Sequence, residues 1–152
     1  MGWLEHIIPP PFVMLAFALV MGAVHYFAGG HLVFGLLFYL GLALMAAGFA
    51  LAFTGLRSLI ANRTTPSPIN IERAKKLVTS GLYNFTRNPM YLGMVVFLIG
   101  VALLLANGWL LIGPALFAIF ITRFQIVPEE RVMTTKFGAD YTAYQHRVRR
   151  WI

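Results

Sequence analysis

The sequence predicts an all-α fold: an integral membrane bundle of about four transmembrane helices with a cytoplasmic amphipathic C-terminal helix. Three observations predict it. Apolar residues make up 59% of the 152 and charged residues 11%, against about 45–50% and 25% in soluble domains. Four apolar runs, residues 12–30, 32–56, 90–106 and 109–127, hold between them a single formal charge, Arg123. Each reaches the roughly 17–25 residues that a span requires, the third at the lower limit. Polar residues gather instead in two segments, 57–89 and 128–152. A soluble globule of this length cannot hide so much apolar surface, and a disordered chain or a cytosolic DNA-binding module is excluded with it. The whole of 1–152 reads as one membrane domain.

The first run follows Pro9-Pro10-Pro11, which interrupts the N-terminal apolar stretch. No Lys or Arg precedes it, so no cleavable leader is expected. His25 and Tyr26 lie near its outer end, where an interfacial role suits His25 better than metal ligation. His6, His31 and His146 share no metal-ligand spacing, and the chain lacks cysteine, so no metal site is expected.

Gly29-Gly30-His31 reads as a tight link to the second run. That run carries Ala46/Ala50 and Gly48/Ala52 at the small-xxx-small spacing that lets helices approach closely. In the third run Gly93 and Gly100, one heptad apart, share a face. Asn107-Gly108 turns the chain back as a hairpin, and Pro114 is placed to kink the fourth run. Thr64-Thr65-Pro66-Ser67-Pro68 reads as an extended loop.

The net charge is +7. Arg57, Arg63, Arg73, Lys75, Lys76 and Arg87 fall in the central segment; Arg131, Lys136, Arg147, Arg149 and Arg150 fall in the tail. The two short links carry none. By the positive-inside rule the N-terminus, the central segment and the tail are expected on the cytoplasmic side. In the tail Met133, Phe137, Tyr141, Tyr144, Val148 and Trp151 recur at helical steps, with Gly138 expected to break or bend the helix. The stripe is expected on the bundle or the lipid interface, with Arg147, Arg149 and Arg150 near headgroups.

Chemistry concentrates in two places. Asn88 and Pro89 suit the N-cap and first position of the third helix, and Arg87 adds a full charge beside the helix dipole. Such a place binds carboxylate or phosphate. The plainer account is a capped membrane helix with Arg87 reaching to headgroups. Glu129 and Glu130, at the cytoplasmic end of the fourth run, break the basic trend. They can accept hydroxyls, attract a cation or act as a base, or simply begin a solvated tail helix. Hairpin geometry brings Arg87, Asn88 and Tyr91 opposite the two glutamates. A ligand with a carboxylate, a cation, hydroxyls and a flat ring matches this mixture, and S-adenosylmethionine is such a molecule. No Walker A, GxGxxG or HExxH pattern occurs, and aromatic residues do not interleave with basic ones, so nucleic acid is not an expected partner.

Leu77-Val78-Thr79-Ser80-Gly81-Leu82-Tyr83, Arg87-Asn88-Pro89-Met90-Tyr91-Leu92-Gly93, Glu129-Glu130, Phe137-Gly138 with Tyr141 and Tyr144, and Arg147-Val148 form an ordered set. Over residues 75–151 it resembles the isoprenylcysteine carboxyl methyltransferase / phospholipid methyltransferase superfamily of membrane enzymes, and the short chain looks like the bacterial members. The resemblance implies S-adenosylmethionine as methyl donor and a lipophilic acceptor. It implies a cofactor site of Lys76, Leu77, Val78, Tyr83, Asn88, Pro89, Tyr91 and Glu129, built from segments 57–89 and 128–152. Arg87, Glu129 and Glu130 take the catalytic positions. On the substrate side the family carries an arginine four residues before the first glutamate; here that position is Gln125, with Arg123 two residues earlier. Asn88 replaces a histidine common in the family. The acceptor stays open between a prenylcysteine-like carboxylate, a phospholipid amine and a small hydrophobic molecule.

Two other classes compete: an NADPH-dependent membrane reductase of the sterol reductase type, and a non-enzymatic four-helix membrane protein. The first should carry more phosphate ligands. A transporter in the second class should hold ionisable residues inside its spans.

Overall fold

Pro10 and its neighbour Pro11 open the first helix: their fixed φ suits the first turn, where the missing N–H has no partner to lose. The structure is a computed structural model that describes residues 8–62 and 76–152. Helix α1 spans Pro10–Phe27 and α2 spans Leu36–Ala61. A 3-10 turn, Gly81–Asn84, precedes α3, Pro89–Leu104. A second 3-10 turn, Gly108–Leu111, leads into α4, Ile112–Ile121, then a π-turn, Thr122–Ile126, and α5, Val127–Arg147. No strand occurs among the described residues. The loop at 64–68, the cations Arg63, Arg73 and Lys75, and the N-terminal residues including His6 lie outside them.

Among the described residues, three helices are long and apolar enough to cross a membrane: Pro10–Phe27, Leu36–Ala61 and the continuous Gly108–Arg147. The sequence counts four. Helix α3 is apolar but has 16 residues, about 24 Å at the α-helical rise, short of the roughly 30 Å hydrocarbon core. Both its ends are sharply set. Pro89 starts it. Ala106, at φ 49°, stops it in a Schellman turn, where Ala106 N–H donates to Leu103 O and Asn107 N–H to Ala102 O.

Helices α2 and α3 pack along glycines. The only buried residues of α2 are Gly41, Gly48 and Gly55. A Cβ on Gly48 would lie 2.6 Å from Gly93 O, and one on Gly93 2.5 Å from Gly48 O and 2.6 Å from Ala52 N. Gly41 meets Gly100 and Leu104, and Gly55 meets Pro89 and Met90. The seam therefore runs on a heptad of glycines. Gly48/Ala52 belongs to it; Ala46/Ala50 does not, because both alanines are exposed. Phe49 and Phe53 are exposed on α2 as well, the side a lipid tail would cover.

The main core lies between α1, α3 and α4. Leu98, Phe117, Ile121 and Ile126 are fully buried there, with Val13 and Met21 from α1. Phe17 meets Phe117 edge to face at 5.6 Å. The α1–α2 link is longer than the glycine pair implied, since α1 ends at Phe27 and α2 begins only at Leu36. His25 is buried, and its ring occupies the space where a Gly30 Cβ would stand.

Pro114 does not kink its helix. It sits in the first turn of α4, where a proline disrupts no hydrogen bond. The irregularity comes later, at the π-turn of residues 122–126, just before Pro128. Pro128 has no N–H, and its ring crowds the carbonyl four residues back, that of Phe124; the wider turn relieves this. Gly138 bends α5 as expected, at φ 50° and ψ −122°. Beyond it Tyr141, Tyr144 and Val148 are buried with Leu77, Met133 and Phe137 against them. The tail stripe thus packs on the protein's own chain.

Candidate functional site

The hairpin of α3 and α4–α5 sets the first turn of α3 beside the first turn of α5. Tyr91 Oη donates to Glu129 Oε1 at 2.5 Å, across 38 residues of sequence. Tyr91 is buried, so the carboxylate it holds is directed into the protein. Glu129 and Glu130 both stand in the first turn of α5, where their charge suits the positive end of the helix dipole.

Glu130 is gripped from two sides. Arg87 Nη1 stands 3.2 Å from its Oε1. Arg150 forks it, with Nε to Oε1 at 3.0 Å and Nη2 to Oε2 at 2.7 Å. The side chains of Arg87 and Glu130 are 11% and 12% exposed, against 38% for Arg150. The inner pair is therefore poorly screened and the outer one better screened. The hydrogen bonds to Glu130 hold the Arg150 pKa above its ordinary value, so it is a cation at any working pH.

Asn88 occupies the N-cap position of α3, but its side chain caps nothing there. Its Nδ2 instead donates to Arg150 O at 2.9 Å, and Thr86 Oγ1 accepts from Asn88 N–H at 3.1 Å. The capping expectation fails because the Nδ2 bond turns the amide toward the tail, which crosses the helix start, and Oδ1 makes no cap hydrogen bond. Pro89 is at the first helical position as expected, and buried.

The segment before α3 supplies an aromatic wall. Tyr83 and Val78 are buried, and Leu77 packs on the tail cluster. Tyr144 Oη donates to Tyr83 O at 2.7 Å. Burial pushes the Tyr83 hydroxyl well above the ordinary phenol range, with Tyr144 and Glu129 adding to it. It remains a neutral donor through the physiological range. Lys76 is exposed and reaches the end of α2, Nζ donating to Asn62 Oδ1 at 3.2 Å.

The structure thus gathers Tyr83, Arg87, Asn88, Pro89, Tyr91, Glu129 and Glu130 at one end of the bundle. Leu77 and Val78 flank them, and Lys76 points to α2. Arg123 and Gln125 diverge. Gln125 is 1% exposed and donates through Nε2 to Ile8 O at 3.1 Å, tying the π-turn to the start of the described chain. Arg123 is exposed over the Phe124 ring and lines a shallow hollow with Ile119, Thr122, Val127 and Trp151. Sequence reasoning missed Arg150 and Thr86 as site residues. The available signal was Glu130 itself, a second carboxylate that one arginine leaves half served. No group of acidic or histidine residues suited to a metal ion occurs among the described residues.

The sequence model of the phospholipid methyltransferase family matches residues 36–140. An uncharacterized protein of Haemophilus influenzae is 38% identical over 63 residues, 41% of this chain and 100% of its own length. Protein-S-isoprenylcysteine O-methyltransferase B of Arabidopsis thaliana is 33% identical over 113 residues, 71% of this chain and 55% of the relative. Protein-S-isoprenylcysteine O-methyltransferase of Schizosaccharomyces pombe is 32% identical over 75 residues, 47% of this chain and 30% of the relative. The chain spans about half, or less, of the length of these two methyltransferases. The family match takes in the site from Lys76 to Glu130, and residues 148–152 lie beyond it.

Proposed function

The chain belongs to the phospholipid methyltransferase family, and from that premise we propose that it transfers a methyl group from S-adenosylmethionine to a lipophilic acceptor in the membrane. The observation that carries the reading is the Tyr91–Glu129 hydrogen bond beside the Arg87–Glu130 pair. It joins a cation, carboxylates and aromatic rings at one end of an otherwise apolar bundle.

The residues present fit the cofactor. Arg87 Nε is buried and has no hydrogen-bond partner among the described residues, which leaves a donor for a carboxylate. Tyr91 engages one oxygen of Glu129, and the other is available to hydroxyls or an ammonium group. Tyr83 and Tyr91 offer ring faces and neutral hydroxyls. When bound, S-adenosylmethionine supplies a methyl group on a sulfonium sulfur, ready for in-line displacement.

The chain's task is then alignment more than acid–base work. Arg87 orients the anionic end of the donor, and Glu129, fixed by Tyr91, orients its polar middle. Tyr83 and Val78 exclude water from one side. Large apolar side chains exposed on α1, α2 and α4, among them Leu19, Phe49 and Ile119, face the lipid from which a lipophilic acceptor arrives. The acceptor class is a prenylcysteine-like carboxylate, a phospholipid amine or a small hydrophobic molecule. A carboxylate acceptor is nucleophilic as it stands; an amine must first lose a proton.

The test is calorimetric binding of S-adenosylhomocysteine to the detergent-purified protein, with NADPH as comparator. Saturable binding of S-adenosylhomocysteine alone is expected. Binding of NADPH alone, or of neither to folded protein, overturns the reading.

A further inference from the structure

Beyond α5 the chain runs back across the start of α3. Val148 is extended, at φ −123° and ψ 130°, and buried. Arg149 O accepts from Arg87 N–H at 3.0 Å. Arg150 O accepts from Asn88 Nδ2 at 2.9 Å and from Thr86 Oγ1 at 3.3 Å. The Arg150 guanidinium meanwhile forks Glu130. One residue thus holds the entry to α3 through its backbone and the entry to α5 through its side chain.

The consequence lies in competition for Glu130. A carboxylate and an arginine prefer a two-bond fork. Arg150 takes that geometry on Glu130 and leaves Arg87 one ion-pair contact with it, Nη1 at 3.2 Å from Oε1, while the Arg87 guanidinium also hydrogen-bonds Tyr141. Arg87 Nε and Nη1 are both left buried without a hydrogen-bond partner among the described residues. Without Arg150, Glu130 would draw Arg87 into the fork and spend its donors.

We propose that Arg150 is a positioning residue: by occupying Glu130 it keeps Arg87 Nε free to bind the carboxylate of the methyl donor. The inference rests on the methyl-donor reading of the site. It assigns Arg150 no contact with the donor and makes its effect specific to the donor's carboxylate end.

Two probes separate this role from simple support of the fold. S-adenosylhomocysteine carries the amino-acid carboxylate; 5′-methylthioadenosine shares the nucleoside and sulfur but lacks it. Calorimetry on the full chain should show Arg150→Ala weakening S-adenosylhomocysteine about tenfold, the scale of one charge-assisted hydrogen bond. Binding of 5′-methylthioadenosine should change by less than about twofold, as for a group outside the coupled set. Arg150→Lys, which keeps the charge but cannot fork, should fall between wild type and Arg150→Ala, and it carries the test if the alanine variant does not fold. In a Glu130→Gln background, where nothing draws Arg87 away, the Arg150→Ala effect should shrink. Equal weakening of both ligands, or no change in either, overturns the inference and leaves the methyl-donor reading intact. A wild-type protein that binds no S-adenosylhomocysteine overturns both.

Discussion

Tyr91 and Glu129 lie 38 residues apart in sequence and share a 2.5 Å hydrogen bond, the phenol of α3 donating to the first carboxylate of α5. The bond fixes the register of the α3–α5 hairpin at the end where the site stands. It also selects one rotamer of Glu129 for whatever the site binds. Tyr91→Phe keeps the ring and removes the donor. A hydrogen bond to a charged group is worth about 1.5–3 kcal/mol, so S-adenosylhomocysteine should bind roughly 10- to 100-fold more weakly. Calorimetry on the folded variant measures this, and unchanged affinity would remove Glu129 from the site.

Glu130 is the common partner of Arg87 and Arg150. Glu130→Ala therefore leaves one well-buried guanidinium unpaired. Breaking a fully buried pair costs about 3–5 kcal/mol. Because Arg150 is 38% exposed and can turn to water, a loss of about 1–3 kcal/mol is expected, discounted for solvent screening. Thermal unfolding in detergent reads it. A variant as stable as the wild type would show that the cluster contributes no net stability.

How far the sequence reveals this arrangement depends on what each signal measures. The hairpin was legible because two apolar runs of similar length flank Asn107-Gly108, which forces the residues before the first run opposite those after the second. Tyr91 meeting Glu129 follows from that. The glycine seam was legible in part: spacing shows that small residues share a face but not which face meets a neighbour. Ala46/Ala50 and Gly48/Ala52 differ only in that. Pro114 misled because its effect depends on where the helix begins, and hydropathy does not report a first turn. Arg150 was hidden among Arg147 and Arg149, where a run of cations reads as a headgroup contact. Its role depends on the extended backbone after Arg147, which no periodicity marks.

The seam also bears on the site, since α2 backs α3 as far as Gly55 against Pro89 and Met90. Gly93→Ala would put a methyl 2.5 Å from Gly48 O and 2.6 Å from Ala52 N. Both are backbone atoms, so neither can swing aside and the helices must separate. Overpacking of this kind costs about 1–3 kcal/mol. The thermal midpoint in detergent should fall, and more than for Gly22→Ala, where an added Cβ meets nothing within 4 Å. Equal behaviour of the two variants would mean that α2 and α3 are not in close contact.

The two ends Phe27 and Leu104 close with the same hydrogen-bond pattern but different residues at the left-handed position. After α1, Gly29 at φ 75° donates to Tyr26 O, and Gly30 N–H to His25 O. After α3, Ala106 at φ 49° donates to Leu103 O, and Asn107 N–H to Ala102 O. A left-handed conformation costs a residue with a Cβ roughly 1–2 kcal/mol, and glycine nearly nothing. Part of that difference is lost to the greater freedom of glycine in the unfolded chain. Ala106→Gly should therefore stabilise the protein by about 0.5–1 kcal/mol, and Gly29→Ala should destabilise it by a similar amount. Opposite shifts of the thermal midpoint in detergent are the expected result. A lower midpoint for Ala106→Gly would mean that the α3 terminus is not held in this turn, and the 16-residue limit on α3 would lose its structural cause.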